Sequence, residues 1–467
     1  MKLKILWASL IICFANCSQN DSSNMSADKT KIKSETMQTS IIQYPITEKG
    51  DVVDTFFGTQ VPDPYRWLED DMSKKTGEWV KKQNDVTFNY LDSIPFRDKL
   101  AKRLSQLIDY ERVSEPFIEG DYSYFYKNDG LQNQAVLYRQ KGQGEAKVFL
   151  DPNSFSKDGT TSLAGTFFSN DGSALTYLIS EGGSDWRKAI TIATDTMLEL
   201  TSPLIDLKFT GISWLGNTGF YYSTYDKPKG SQLSAKTDQH KLFFHTLGTT
   251  QKEDTLIFGG LSSEKHRYIS GEVTEDDKYL VIEASNATSG NKLYIKDLSK
   301  PMASLITVLD NANSDISLLS NNKSTLLFET NLDAPNKRVV AIDVKHPAIK
   351  NWYDVIPETE HVLDSVTGGG YIFAQYMQDA LSSVKQFDMT GKLISQLTLP
   401  GVGTATGFSG KKQQQKLYFT FSNYITPSSI YEYDVKLGKS ELFKKPDVDF
   451  DTDAYDSNQV FYTSSDG

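Results

Sequence analysis

Beyond residue 17 the chain has no cysteine: its only two, Cys13 and Cys17, lie within the first twenty of 467 positions. The folded body therefore holds neither a disulfide nor a thiolate metal site. No Gly-x-Ser-x-Gly occurs, which removes the strained strand-to-helix elbow that exposes a nucleophilic serine. The nearest fragments, Gly211-Ile212-Ser213 and Gly407-Phe408-Ser409-Gly410, lack the second glycine at the required spacing. A phosphate-cradling Gly-x-x-x-x-Gly-Lys loop and a His-Glu-x-x-His zinc helix are missing too. Nor is there a Lys/Arg block: 60 acidic residues outnumber 49 basic ones, for a formal net charge of −11. A phosphate backbone would be repelled, so nucleic acid is excluded as a partner.

Long apolar runs are equally scarce. One, residues 5–15, follows Lys2 and Lys4 and is too short for a permanent bilayer span but right for the core of a secretory signal. Residues 1–17 are therefore expected to direct export. Ala15-Asn16-Cys17-Ser18 resembles a bacterial lipoprotein cleavage site, at which Cys17 would become the lipidated first residue; simple cleavage is the alternative. The expected location is periplasmic, free or anchored by lipid. Residues 18–43 are mostly polar, cannot bury enough surface to fold, and read as a tether.

What is plentiful is aromatic. Twenty-four Tyr and 25 Phe, within a 38% hydrophobic composition, suit a large core built on pleated, half-buried surfaces. The first part of the body, residues 44–111, is an exception with helical periodicity. Trp79, Val80, Gln83, Val86, Tyr90 and Leu91 recur at spacings of three and four, and Pro95 interrupts before Phe96, Leu100, Leu104 and Leu107 resume the pattern. Two amphipathic helices are predicted, preceded by a rigid proline-containing segment anchored by a buried Trp67.

From residue 112 the rhythm becomes short alternating runs separated by Asp, Asn and Gly. An apolar strand closing on Asp recurs at Asp297, Asp343, Asp388 and Asp434, spaced 46, 45 and 46 residues apart. A second strand precedes each, centred on Leu280, Leu327, Phe373 and Tyr418. Weaker copies end at Thr246, Thr194 and Gln140, which makes seven units. Turn leads such as Ser169-Asn170-Asp171-Gly172 and Thr274-Glu275-Asp276-Asp277 punctuate them. A repeat of roughly 40 to 50 residues made of short strands is a propeller blade. Each blade is apolar on both faces, and a closed ring gives every blade two neighbours. The fold class is all-β: a seven-bladed β-propeller over residues 112–460, behind a short helical segment.

Few residues suggest chemistry. His240 and His245 are five apart on a strand, which sends their side chains to opposite faces and assigns them structural roles. Glu69, Asp70 and Asp71 read as a solvated lead-in that caps the following helix rather than as acid/base carboxylates. Gly182-Gly183-Ser184-Asp185-Trp186 reads as a tight turn with a packed aromatic. No catalytic, cofactor-binding or metal-binding residue is assigned.

The run Asp63-Pro64-Tyr65-Arg66-Trp67-Leu68-Glu69-Asp70, followed by Trp79 and Gln83-Asn84, resembles the amino-terminal signature of the prolyl oligopeptidase family. Gly183-Ser184-Asp185-Trp186 and the stretch from His240 to Thr249 resemble further family motifs, in the family's order. The resemblance runs from about Tyr44 to Gly467. It implies a serine peptidase of two parts: an α/β-hydrolase domain with a Ser-Asp-His triad, and a propeller that admits short proline-containing peptides and shuts out folded proteins. It also implies that the amino-terminal helices pack on the hydrolase domain, and that residues 461–467 are the strand returning to it. The triad, oxyanion donors and proline pocket map to no position here, so the chain alone is expected to be an inactive gating portion, and a monomer. Ile257 stands where relatives carry a polarisable side chain, so no binding residue is carried over. With no hydrolase domain against the helices, an exposed apolar patch is expected around Trp67, Trp79 and Val86. The alternatives are an oligopeptidase B-like peptidase, which shares the architecture but prefers basic residues, and a free-standing periplasmic binding propeller.

Overall fold

The computed structural model describes residues 42–228, 237–300, 302–449 and 451–467. The expected signal and nearly all of the tether lie outside the described residues. The chain divides into two compact units, Met1–Ile46 and Thr47–Gly467. In the first, only residues 42–46 are described, and they carry no helix or strand.

The second unit opens with a hairpin of Val53–Phe56 and Thr59–Pro62, turned by Phe57 and Gly58 at φ 51° and 84°. Both predicted helices form, α1 over Lys74–Asp92 and α2 over Arg97–Ile108, with Pro95 in the break. The cap of α1 is Ser73, whose hydroxyl accepts from the Thr76 amide at 3.1 Å, not the acidic trio expected to cap it. The trio lies too far upstream of the helix start. Glu69 instead pairs with Arg66 at 3.3 Å. Trp67 is half-buried rather than a buried anchor, since it packs against a small amino-terminal substructure and not a core. Its indole donates to the Glu48 carbonyl at 2.9 Å, while the Trp79 indole donates to Thr47.

Seven antiparallel sheets follow, blades 1 to 7, over residues 112–150, 161–208, 212–259, 268–309, 316–356, 362–396 and 404–444. Six have four strands in consecutive order. In blade 1 the inner strand is split into Arg112–Val113 and Phe117–Glu119, both paired to Tyr122–Asn128, with Pro116 in the gap because it has no amide to donate. The protein is a seven-bladed β-propeller. Each of the seven sequence repeats falls on the third strand of a blade or on the residue just after it. The repeating aspartates have a local cause: Asp297, Asp343, Asp388 and Asp434 accept from the amide two residues on, which starts the turn to the fourth strand. Residues 461–467, expected as a strand, form none; no described strand lies alongside to complete a ladder.

Six apolar clusters fill the junctions between consecutive blades from 1–2 through 6–7. Leu280, for example, lies fully buried between blades 3 and 4, and Phe328 between blades 4 and 5. No such cluster spans blades 7 and 1 among the described residues. That junction is polar. Glu111 bridges Lys127 of its own blade at 2.6 Å and Lys444 of blade 7 at 2.8 Å, and Thr420 donates to Glu115 at 2.7 Å. Gly407, at φ 121°, makes room for this approach: a Cβ there would stand 2.8 Å from the Glu115 carboxylate. Blades 1 and 7 each use only their own segment of chain, so no shared strand zips the ring.

These junctions predict unequal sensitivities. Leu280→Ala should cost about 2 to 5 kcal/mol, read from the urea midpoint. Lys444→Ala, which breaks a partly exposed ion pair, should cost less than about 1 kcal/mol.

Candidate functional site: the axial channel

The first strand of every blade lines the ring axis. The hairpin from the second to the third strand of blade 1 receives Arg112, which donates to Asn128 at 3.1 Å and to the Gly130 carbonyl at 2.8 Å. The matching hairpin of blade 6 receives Gln459, which donates to the Asp379 carbonyl. The segments before and after the propeller therefore reach the same end of the channel, here called the near end. Hairpins joining first to second strands gather at the far end.

Between these ends lies a cavity of about 670 Å³ lined by inner strands of blades 1 to 4. Its wall mixes polar residues with aromatic ones, including Phe117, Phe167 and Trp214, with the Trp214 indole fixed on the Phe167 carbonyl at 3.0 Å. This volume and mixed lining suit a peptide-sized ligand. A smaller cavity of about 240 Å³ adjoins it at blade 4, between Phe209, Tyr268, Glu283 and Asp315.

The channel is acidic. Glu272 projects from the inner strand of blade 4, open to water yet walled in on all sides, and burial raises its pKa. Glu283 sits on the next strand. Burial, and then the charge of Glu272, push its pKa up to about 7. On blade 1, burial also raises Glu115 and Glu119. Among the described residues neither Glu272 nor Glu283 has an ion-pair partner, whereas Glu329 has Lys337 at 2.8 Å.

The histidines behave as structural groups. His240 accepts the Ile269 amide at Nδ1 (2.8 Å), donates from Nε2 to the Lys208 carbonyl (3.0 Å) and stacks on Tyr225. It stitches blade 3 to blades 2 and 4 as a neutral ring, and burial holds its pKa down to about 4. His245 lies between Asp254 at 2.7 Å and the Thr201 hydroxyl at 3.0 Å. Hydroxyl, imidazole and carboxylate stand in the order of a hydrolytic relay. The imidazole is nevertheless fully buried, and the Tyr222 hydroxyl occupies the other Asp254 oxygen, so no substrate carbonyl can reach it. Gly182 and Gly183, at φ 60° and 73°, make the expected turn, with Trp186 buried. Ile257 lies on the outer strand Thr255–Gly259 and packs in the blade 3–4 junction, away from the axis. The channel glutamates were missed from sequence, because nothing near Glu272 or Glu283 distinguishes them from exposed strand residues.

The family model for the prolyl oligopeptidase N-terminal β-propeller domain matches residues 44–446. The chain belongs to the prolyl oligopeptidase family. It is 51% identical over 428 residues to the prolyl endopeptidase of Elizabethkingia meningoseptica, covering 91% of this chain and 60% of that protein. A solved structure from a study of two prolyl endopeptidases superposes with a TM-score of 0.82 at 30% identity, over 91% of this chain and 63% of that one. Oligopeptidase B from Leishmania major shares the fold, with a TM-score of 0.74 at 16% identity, over 91% of this chain and 64% of its own. The chain thus spans about 60% of the length of the prolyl endopeptidase it matches at 51% identity. The matched region corresponds to the family's N-terminal β-propeller domain together with the helical segment that precedes it.

The channel groups predict a pH signature. Glu283 is raised from 4.5 to about 7, so its folded form holds a proton that the unfolded chain releases, and stability falls as pH rises through that window. His240 acts oppositely: lowered from 6.5 to about 4, it withdraws stability as pH falls through its window. Glu283→Gln should therefore raise the urea midpoint at about pH 8, by up to about 3 kcal/mol, and leave it unchanged below about pH 4.5.

Proposed function

We propose that this chain is the selecting portion of an exported prolyl endopeptidase, in which an α/β-hydrolase domain seated at the near end cleaves short peptides after proline. The observation that carries this reading is the unpartnered apolar face of α1 and α2. Val80, Phe88 and Tyr90 on α1, with Leu100, Leu104 and Leu107 on α2, are exposed by roughly two-fifths to one-half. The patch differs from the one expected, since Trp67, Trp79 and Val86 are half-buried within the amino-terminal substructure. A propeller covers its own blades, so such a face needs a separate apolar partner.

In the complete enzyme an activated serine would attack the carbonyl after proline, a histidine would carry the proton, and backbone donors would hold the oxyanion. This chain's share is selection by size: a peptide-sized chamber walled by blades 1 to 4 has no room for a folded protein. Similarity to prolyl endopeptidases at 51% identity supports proline over basic residues as the cleavage point. Residues 1–17 support export, with Cys17 as the site of lipid attachment, and the mass of the mature amino terminus tests that step.

Reporter peptides ending in proline or arginine decide the activity of the complete protein. Cleavage after proline alone is expected; preference for arginine would move the reading to oligopeptidase B, and saturable peptide binding without cleavage would move it to a binding propeller. The helical face has its own test. Leu100→Glu with Leu104→Glu should reduce binding of an apolar dye and self-association of this chain, with stability altered by less than about 1 kcal/mol because both side chains are exposed.

A further inference from the structure

The far end of the channel is occupied. Hairpins between first and second strands contain two to five residues in blades 1 to 6, but eight in blade 7, residues 408–415. This longer hairpin does not stay over its own blade. The Lys411 ammonium pairs with Glu119 of blade 1 at 2.5 Å and donates to the Asn170 carbonyl of blade 2 at 3.1 Å. The Lys412 amide donates to Glu275 of blade 4 at 3.2 Å, and its ammonium reaches Asn321 of blade 5 at 3.0 Å. The Lys411 carbonyl accepts from Gly369 of blade 6 at 3.1 Å. Two consecutive residues that touch five other blades, on both sides of their own, must lie at the ring axis.

The hairpin is also built to hold its shape. The Gln414 side chain accepts the Lys411 amide at 2.6 Å, the Gln414 amide returns a bond to the Lys411 carbonyl at 3.1 Å, and Gly410 donates to the Thr367 carbonyl of blade 6. A second polar layer crosses the axis beside it, where Asn170 of blade 2 donates to Asp277 of blade 4 at 2.9 Å.

Among the described residues no buried apolar cluster spans the blade 7–1 junction, and its end contacts include a few ion pairs and hydrogen bonds. We propose that the blade 7 hairpin is the closing clamp of the ring: through the axis, Lys411 and Lys412 tie blade 7 to blades 1, 4 and 5. They do for the seventh junction what apolar side chains do for the other six, and they cover the far mouth of the channel. Release of these two side chains frees the seam and the far mouth together. Radial ties of this kind resist a hinge opening between blades 7 and 1 better than contacts across the seam itself, because each acts on a blade that would have to move away from the axis.

Hydrogen exchange read by mass spectrometry tests the clamp. Lys411→Met with Lys412→Met keeps the apolar stems and removes the charges. Exchange should accelerate about tenfold in segments 112–128 and 404–422, the change expected from losing charge-assisted hydrogen bonds. Blades 3 to 5 should be unaffected. Because the body has no other thiol, Glu115→Cys with Thr420→Cys can be bridged selectively across the seam with a short thiol-reactive bis-maleimide, to which both thiols add, and in the doubly substituted background that bridge should restore slow exchange. Unchanged exchange in the two segments, acceleration spread over all blades, or failure of the bridge to reverse it would overturn the proposal. So would an equal acceleration from Lys444→Ala, which breaks only the seam contact at the near end.

Discussion

A ring of seven sheets has seven junctions, and among the described residues six of them hold a buried apolar cluster while the seventh does not. That asymmetry governs the rest of the structure. Burial is the dominant favourable term in folding and is not directional, so six junctions form wherever strands alternate correctly. The seventh depends on charged and hydrogen-bonded groups whose net contribution is small and whose geometry is exact in its demands. Glu111 just before the split inner strand of blade 1, Glu115 in its gap and Glu119 at its end, spaced four apart, meet Lys444, Thr420 and Lys411 of blade 7. The seam is thus a ladder of polar contacts running the depth of the ring, from the near end at Glu111 to the far end at Glu119.

A polar seam has a topological counterpart. If the last blade borrowed a strand from the start of the chain, one end of the propeller would be locked inside a sheet. Here each blade is one uninterrupted segment. Both flanking segments leave at the near end, where Arg112 and Gln459 fasten them to hairpins of blades 1 and 6. The arrangement would let a domain placed after the propeller meet the helices that precede it, whose exposed apolar side chains would offer it a surface. The same separation of ends leaves the far mouth to the propeller's own hairpins. Access and closure are assigned to opposite ends of one channel.

Much of the fold was legible because its cause is local. An aspartate that takes the amide two residues on must sit at the end of a third strand, so the turn chemistry of Asp297, Asp343, Asp388 and Asp434 printed a period into the sequence. Where Thr246, Thr194 and Gln140 replace it the period blurs, yet strand alternation still marks the blade. The helices were equally plain, being two apolar stripes broken at Pro95. The partial burial of Trp67 and the cap at Ser73 were misjudged because both depend on what stands beside them. The channel was less legible still. Glu119, Asn170, Asp277 and Lys411 come from four hairpins as much as 292 residues apart, and no window along the chain contains two of their partners.

The acidic lining completes the physical picture of the chamber. Burial of Glu283, and then the charge of nearby Glu272 with no cation beside them, disfavour its ionised form, which is why the Glu283 carboxyl retains a proton to about pH 7. Other carboxylates have a cation or a donor, with Lys411 for Glu119, Lys337 for Glu329 and the Thr420 hydroxyl for Glu115. Stability alone would favour a lysine or an apolar residue at blade 4, since an uncompensated carboxyl weakens the fold as pH rises. The uncompensated carboxyls line two adjoining cavities, Glu272 beside Trp214 and Phe167 in one and Glu283 in the other, whereas the seam carboxylates Glu111 and Glu119 are paired with Lys444 and Lys411. The unsatisfied charge therefore faces the space where a peptide would lie, and the satisfied charge lies where blades must stay joined.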